Sequence, residues 1–326
     1  MSYTSGGLIE ATDYNGFVST GTPNVNVIWS TGSGNSGWGE TAVSTVSTLG
    51  TVTATQWAAL VNTLTSMGSQ TGVTITSRSA PVAGDTINIL NNVTTDITSI
   101  YNNRGNASAV GSQFTGWTGT SGKTSTTPQG TNITFTHTVT FASANAARYF
   151  FNAGGLVKIT FGKSSTGEQG DAEWNDLAST LAGAVWISGR STGANATVAG
   201  TLYSGSTVIG GTGTPTTPSG TKYGTNGWFQ LSTTNTEIYK QFADSAPYTS
   251  NYIGVQAKTG NTGTTLDLTT TWFNNPAQYD TMSGGTAPSG ATHGTAPSTI
   301  VTYYPPSSTY LTTAAWGTPT VSSTTT

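Results

Sequence analysis

The clearest β-strand pattern in this sequence is the segment 132–141, which reads NITFTHTVTF. Successive side chains of a strand point to opposite faces of its sheet. Threonines occupy one face here, and apolar residues occupy the other, interrupted once by His137. The alternation predicts a half-buried antiparallel strand with one core face and one hydroxyl-covered face. Its apolar positions are Ile133, Phe135, Val139 and Phe141.

Similar short segments recur along the rest of the chain, separated by clusters of Gly, Ser, Asn and Pro. About nine strands at such spacing are typical of a β-sandwich or barrel. We therefore expect an antiparallel β-sandwich of the jelly-roll kind. The further predicted strands are 156–161, 184–188, 197–203, 228–232, 236–242, 252–258, 265–273 and 299–304.

The N-terminal third has helical periodicity instead. Trp57, Leu60, Val61 and Leu64 share one helix face, Thr53 and Gln56 form a capping box, and Gly68 is a predicted stop. Two more helices are predicted at 12–18 and at 85–104, the second capped by Asp85, with a flexible glycine-rich loop at 30–39 between the first and the Trp57 helix. One further helix, with Asp171 at its start, is expected around Trp174, Leu177 and Leu181.

These patterns divide the chain into three parts. We expect a helical and loop assembly module over 1–110, a β-sandwich body over 111–304 and an extended tail over 305–326. The predicted fold class is mainly β, with a small α-helical N-terminal module.

The composition narrows the classes of function. The chain has 326 residues and no Cys, two His, ten Lys and Arg, and thirteen Asp and Glu, which leaves 7% charged side chains and a net charge of −3. A typical soluble domain is about one quarter charged. Scarce basic residues do not favour nucleic-acid binding. No apolar run reaches the ~18 residues of a membrane span, and the first residues lack the pattern of a secretory signal.

Groups that carry catalysis or bind metals are few. His137 is predicted to be a core or interface residue, and His293 lies in a Gly- and Thr-rich loop. A weak Ca²⁺ candidate exists in one acidic cluster, although acidic residues also gather at helix N-termini because the helix dipole favours them. No catalytic motif and no cofactor are predicted. The acidic cluster comprises Glu168, Asp171, Glu173 and Asp176.

Aromatic residues are the one abundant class with functional potential. Several tryptophans lie beside loops rich in Gly, Ser or Thr. Such a residue is most often part of the core, but it can also anchor a protein interface or stack on a sugar ring. The candidates for these two roles are Trp29, Trp38, Trp117 and Trp228.

One resemblance rests on the segment 147–155, ARYFFNAGG, followed by the predicted strand 156–161 and by WNDL at 174–177. Supporting segments are TGSGNSGWG at 31–39, Gln56 with Trp57, and WGTPTV at 316–321. In this order they resemble a family of virion structural proteins of tailed phages, especially phages of cyanobacteria. The resemblance implies a non-enzymatic appendage or tail-associated component present in many copies. A related environmental filament-forming protein fits equally.

We therefore expect a structural protein that polymerises with itself into an extracellular or virion-associated filament, by exchange of residues 1–10 and 299–326. Two alternatives stay open: a trimeric tail fibre or spike that binds a cell-surface glycan, and a glycan-cleaving enzyme with paired carboxylates. Other virion proteins or surface glycans are further partners. The expected assembly residues are Tyr3, Leu8, Ile9, Ile300, Val301, Tyr303, Tyr304, Leu311 and Trp316.

Overall fold

A computed structural model of the chain combines α-helices with antiparallel β-sheets. The helices are α1 (Ala11–Val18), α2 (Val25–Trp29), α3 (Ala54–Thr71), α4 (Val93–Asn103), α5 (Ala144–Asn152) and α6 (Gln169–Asp176). The structure describes residues 10–85, 92–107, 121–124, 132–164, 169–189, 196–198, 201–203, 208–210, 222–223, 228–246, 248–274 and 296–325.

Helix α3 has the N-terminus predicted from the sequence and a later end. The Thr53 side chain accepts a hydrogen bond from the Gln56 backbone, and the Gln56 side chain accepts one from Thr53 N, so the capping box is confirmed. The helix continues through Gly68 and ends at Gly72, whose φ of 71° is left-handed. Gly68 instead allows close packing, because an added Cβ would lie 3.1 Å from Val73 O and 3.2 Å from Ile75 Cγ2.

Helix α1 confirms the prediction at 12–18, whereas α4 starts later than predicted. It begins at Val93, after Asn92 in a left-handed conformation. Asp85 is not its cap, because the Asp85 carboxylate accepts a hydrogen bond from Val82 N and closes a local turn. The end is close to the prediction, with a 3₁₀ turn over Arg104–Asn106.

Two helices were not predicted. Asn24 caps α2 by accepting a hydrogen bond from Val27 N, and Ser143 caps α5 through Ala146 N. The predicted helix near Trp174 is present as α6, and a π-helical segment, Leu177–Ala182, extends it. Helices therefore occur on both sides of the predicted boundary at residue 110.

Within the described residues, the strands form two larger sheets and one two-stranded sheet, in which every pair is antiparallel. Their orders are β1-β12-β3-β4-β7, β13-β2-β11-β10-β9-β8 and β5-β6. The strands are β1 (Ser121–Thr124), β2 (Ile133–Thr140), β3 (Leu156–Gly162), β4 (Ala184–Ile187), β5 (Ala196–Val198), β6 (Thr201–Tyr203), β7 (Val208–Gly210), β8 (Lys222–Tyr223), β9 (Thr236–Phe242), β10 (Tyr252–Gly260), β11 (Thr265–Phe273), β12 (Ser298–Tyr304) and β13 (Thr320–Thr325).

Most of the predicted strands are present. β9 and β11 have the predicted bounds, and burial alternates along β2 as its sequence indicates. Two predictions were wrong. The described residues of 197–203 belong to two antiparallel strands instead of one, and 228–232 contains the 3₁₀ turn Trp228–Gln230 instead of a strand.

Side chains of the two larger sheets contact each other. Phe161 of β3 stacks on Tyr239 of β9 with ring centroids 6.5 Å apart, and Trp272 Nε1 of β11 donates to Thr299 Oγ1 of β12 at 3.2 Å. The same hydrophobic cluster continues from these strands into α1–α4 and the C-terminal segment. Described residues on both sides of the two predicted boundaries thus share one core.

Candidate assembly site

The C-terminal segment leaves β12, contacts Gly39 and Glu40, and then joins the six-stranded sheet as β13. Leu311 and Trp316, two of the predicted assembly residues, are buried in the common core. Gly39 lies under this segment, because an added Cβ there would lie 2.6 Å from Ala315 Cβ. Residues up to Trp316 are therefore packed within the chain as folded.

A single carboxylate anchors this segment. Glu40 is only 4% exposed, and its Oε1 accepts hydrogen bonds from Thr312 N at 3.0 Å and Thr313 N at 3.1 Å. Its Oε2 accepts the Thr312 hydroxyl at 2.9 Å. The sequence analysis missed Glu40, and no local pattern indicates it, because 272 residues separate it from Thr312.

Strand β13 is the edge strand of the six-stranded sheet and pairs with β2 alone. None of its side chains is fully buried, since exposed and half-buried positions alternate along it. The edge strand of the other sheet, β1, lies beside β13 with no ladder between them. β13 is thus held by its main-chain ladder and a few inward contacts.

Two of the inward contacts are specific. Val321 packs against the core, and Ser323 Oγ lies 2.7 Å from Nδ1 of His137. His137 is 0% exposed and lies on β2 directly opposite Ser323, which fits the predicted core role of this histidine. The other histidine, His293, lies outside the described residues.

The remaining predicted assembly residues have other environments. Strand β12 is paired on both sides, with β1 and β3, and its Val301 and Tyr303 are buried. Ile300 is 37% exposed, and Tyr304 contacts the Trp186 ring at 5.2 Å. A strand inside a sheet has no free edge, so β12 is a poor candidate for exchange. Three of the predicted residues, Tyr3, Leu8 and Ile9, lie outside the described residues.

The described candidate tryptophans are core residues. Trp29 and Trp38 contact each other with centroids 6.0 Å apart, and Trp228 stacks on Phe151 at 4.7 Å. All three are buried, and Trp38 is 0% exposed. Their expected role in stacking on a sugar therefore does not fit the folded chain, because no ring face is open to a ligand. Trp117 lies outside the described residues.

Burial of Trp38 results from docking of the glycine-rich loop on α5. Arg148 donates to Ser36 O and Thr31 O, and Asn152 Nδ2 donates to Gly34 O and Gly37 O at 3.1 Å. The loop, predicted to be flexible, is thus held by side chains more than 100 residues away in sequence. Two segments on which the phage resemblance rests, 31–39 and 147–155, are in direct contact here.

The acidic cluster does not converge on one point. Asp171 is buried in the first turn of α6, where its carboxylate lies 2.8 Å from Lys163 Nζ. Desolvation raises the pKa of Glu173, and so do the Asp244 and Asp176 carboxylates, against a hydrogen bond from Ser245. Glu168 lies outside the described residues, and within them no three His, Asp or Glu side chains form a metal-binding group.

Within the described part of the chain, no helix has the length and apolarity needed to cross a membrane. No protein-family model, curated protein or solved structure matches this chain. Its function is therefore inferred from the contacts described above.

Proposed function

We propose that this chain is a structural protein that assembles with copies of itself into a filament or fibre, outside the cell or as part of a virion. The observation that carries the proposal is the edge strand β13, which ends the described chain and contributes no fully buried side chain. Natural proteins protect edge strands with charges, proline or bulges, because unpaired edges invite pairing with other chains. β13 reads TVSSTT and carries none of these within the strand.

Exchange of β13 between subunits would preserve its interactions. A copy of β13 paired with β2 of a neighbour makes the same ladder and the same inward contacts as it makes within its own chain. Only the short connection after Trp316 has to change its path, and the Glu40 anchor stays in place. Head-to-tail exchange of this kind gives an open filament when the rotation between subunits does not close.

In this proposal, the two larger sheets are the layers of a β-sandwich of the jelly-roll kind. The nested pairing supports this, since β1 pairs with β12, β12 with β3, and β2 with β11. The inner strands β9, β10 and β11 instead follow one another as a meander. The sandwich is the repeating body, and the C-terminal segment links it to the next copy.

Concentration governs whether the exchange occurs. A strand on a short connection has an effective concentration in the millimolar range for its own acceptor. Assembly is therefore expected to need high local concentrations or help from additional contacts, such as those assigned to residues 1–10. Synthesis of many copies, as the phage resemblance implies, meets the first condition.

Negative-stain electron microscopy across a concentration series tests the proposal. The full chain is expected to form long filaments, whereas a chain without residues 320–326 is expected to stay folded and monomeric. Thr324→Ala, at an outward position of β13, is the matched control and should still form filaments. Discrete trimers or monomers of the full chain at high concentration would refute the filament, and filaments from the shortened chain would refute the role of β13.

For the two alternatives, the described residues offer no open tryptophan face and, among carboxylates, only a Glu173 whose pKa is raised by burial and by Asp244 and Asp176. Glycan binding through Trp29, Trp38 or Trp228 would require exposed ring faces, and these rings are buried. Glycosidic cleavage would require two carboxylates facing one cleft, whereas Asp171 is paired with Lys163 inside the fold. We therefore propose self-assembly alone.

A further inference from the structure

The sequence of β13 specifies its own register only weakly. Register is well defined where a strand has one apolar and one polar face. In β13, five of the six side chains carry hydroxyl groups, so both faces are polar. A shift by two residues keeps every side chain on its face and exchanges one hydroxyl for another at most positions.

The register that the β13 sequence leaves open is determined by β2, the strand with which β13 pairs. In the observed register, Val321 lies opposite Val139, Ser323 opposite His137 and Thr325 opposite Phe135. His137 is the one polar side chain on the inward face of β2, and it meets Ser323 Oγ at 2.7 Å. A shift by two residues in one direction would place Val321 opposite His137. A shift by two in the other direction would place Thr325 opposite His137. The first shift removes the hydroxyl partner, and the second removes Val321 from its place opposite Val139.

We propose that β2 of a second copy is the acceptor of the exchanged β13, and that His137 is the positioning residue that sets its register. This inference rests on the proposed self-assembly and adds the residue that determines the register of the exchanged strand. His137 is a polar side chain within an otherwise apolar strand face, and it favours the register that places Ser323 opposite it. A buried polar residue fixes the register of a helical coiled coil in a comparable way. The exchanged β13 then pairs with β2 of every neighbour in the same register, which a regular filament requires.

The absence of cysteine from the sequence allows a direct test by disulfide formation. Ser322 lies opposite Thr138, and both residues point away from the core. Paired positions on antiparallel strands have Cα atoms about 4.5–5.5 Å apart, within the range that a disulfide spans. Thr138→Cys and Ser322→Cys are made in separate chains, which are mixed as monomers, assembled and oxidised.

Exchange predicts covalent dimers between the two single-cysteine chains on a non-reducing gel. The matched control combines Thr134→Cys with Ser322→Cys, because Thr134 lies on the same face of β2 but about 13 Å further along it. Control mixtures should give few dimers. The double variant with both cysteines in one chain should give an internal disulfide while monomeric and a covalent ladder once assembled.

The outcomes separate the two proposals. Filaments with no dimer between the mixed chains, while the double variant closes internally, would overturn the exchange and leave self-assembly standing. Absence of filaments from the wild-type chain would overturn the self-assembly itself. Covalent ladders in proportion to filament mass support both.

A second set of cysteine pairs tests the role of His137. Pairs of Thr138→Cys with Thr320→Cys or Thr324→Cys report registers shifted by two residues. In the wild-type background, the in-register disulfide is expected to exceed the two shifted disulfides. Ser323→Ala removes the hydrogen bond to His137 and should lower the ratio of in-register to shifted disulfides about fivefold. Ser323→Thr keeps a hydroxyl and should restore it. Equal register distributions in all three chains would refute the positioning role.

Discussion

Among single residues, Glu40 is buried and has no cationic partner in any ion pair of the described residues. Backbone N–H groups of Thr312 and Thr313 satisfy it instead. Hydrogen bonds to a charged acceptor are stronger than neutral ones. Glu40 therefore acts as the fixed point from which the C-terminal segment extends to β13.

Glu40→Ala is expected to lower the free energy of unfolding by about 2 kcal/mol, because bonds to a charged group contribute about 1.5–3 kcal/mol. The C-terminal segment should also become sensitive to protease while the rest of the chain resists. Urea unfolding and limited proteolysis measure both effects. Glu40→Gln keeps the volume and one acceptor oxygen and should lose less. Equal protease resistance in Glu40→Ala and the wild type would contradict the anchoring role.

Two buried tyrosines predict how stability depends on alkaline pH. Burial raises the pKa of Tyr14 to about 12 and that of Tyr303 to about 12, from an ordinary value of 10.0. Between pH 10 and 12 the unfolded chain loses phenolic protons that the folded chain keeps. The free energy of unfolding therefore falls as pH rises, by up to about 1.4 kcal/mol per pH unit for each group.

Replacing both residues by Phe should flatten this alkaline decline. The variant loses the hydrogen bond from Tyr14 Oη to Gln56 O, so the slopes are compared and not the absolute stabilities. Urea unfolding at successive pH values gives the slopes. Between pH 7 and 9 the variant and wild type should change in parallel. An unchanged slope between pH 10 and 12 would show that the two phenols titrate normally in the folded chain.

Among the secondary-structure elements, local sequence patterns correctly predicted features that depend on neighbouring residues, such as helix caps and strand alternation. The capping box of α3 and the alternation of β2 are both readable within eight residues, and both were correct. Helix α5 was missed although Ser143 is a good cap, because three adjacent residues, Tyr149, Phe150 and Phe151, are all buried and obscure the helical period. The turn at Trp228–Gln230 was mistaken for a strand because three adjacent residues carry too little periodicity.

The glycine-rich loop around Trp38 was less predictable, for a different reason. The glycine-rich loop has the composition of a flexible linker, yet Arg148 and Asn152 hold it through its carbonyl groups. These two residues lie four apart on α5 and share a helix face, a signal that becomes readable once the helix is recognised. Contacts across more than 100 residues leave no other local trace, so the docking of this loop on α5 was not predictable.

Two glycines of this loop give a matched pair of variants. Gly37 has a φ of 93°, and an added Cβ would lie 2.3 Å from Thr31 O, whereas Gly34 has a φ of 54° and no atom within 4 Å of that position. Gly34→Ala should cost only the strain of a left-handed alanine, about 1 kcal/mol. Gly37→Ala adds the collision between its Cβ and Thr31 O and should lower the free energy of unfolding by at least about 3 kcal/mol. Thermal unfolding measures both, and equal costs would show that Gly37 does not approach Thr31 O in the folded loop.

For the molecule as a whole, the predicted division at residue 110 conflicts with where the core lies. Trp38, Trp57, Phe150 and Trp316 belong to one hydrophobic cluster, although they come from both sides of both predicted boundaries. Gln70 Nε2 of α3 also donates to Ala153 O, a buried hydrogen bond across the same division. We therefore propose that the change of periodicity near residue 110 is a change of secondary structure within one folded unit.

A shared core predicts that neither side of residue 110 folds alone. Separation would expose the apolar faces of α1–α3 and of α5, and burial of such faces contributes about 25 cal/mol per Å². A chain of residues 111–326 should lack the sharp near-ultraviolet circular dichroism of packed aromatic rings, and the full chain should unfold in one calorimetric transition. Co-expression of 1–110 with 111–326 is the control, because reassembly of the two pieces restores the core without the peptide bond. If 111–326 alone unfolded cooperatively near the melting temperature of the full chain, the helices would be an accessory to an independent β-sheet domain, and assembly through β13 would have to be tested on that domain alone.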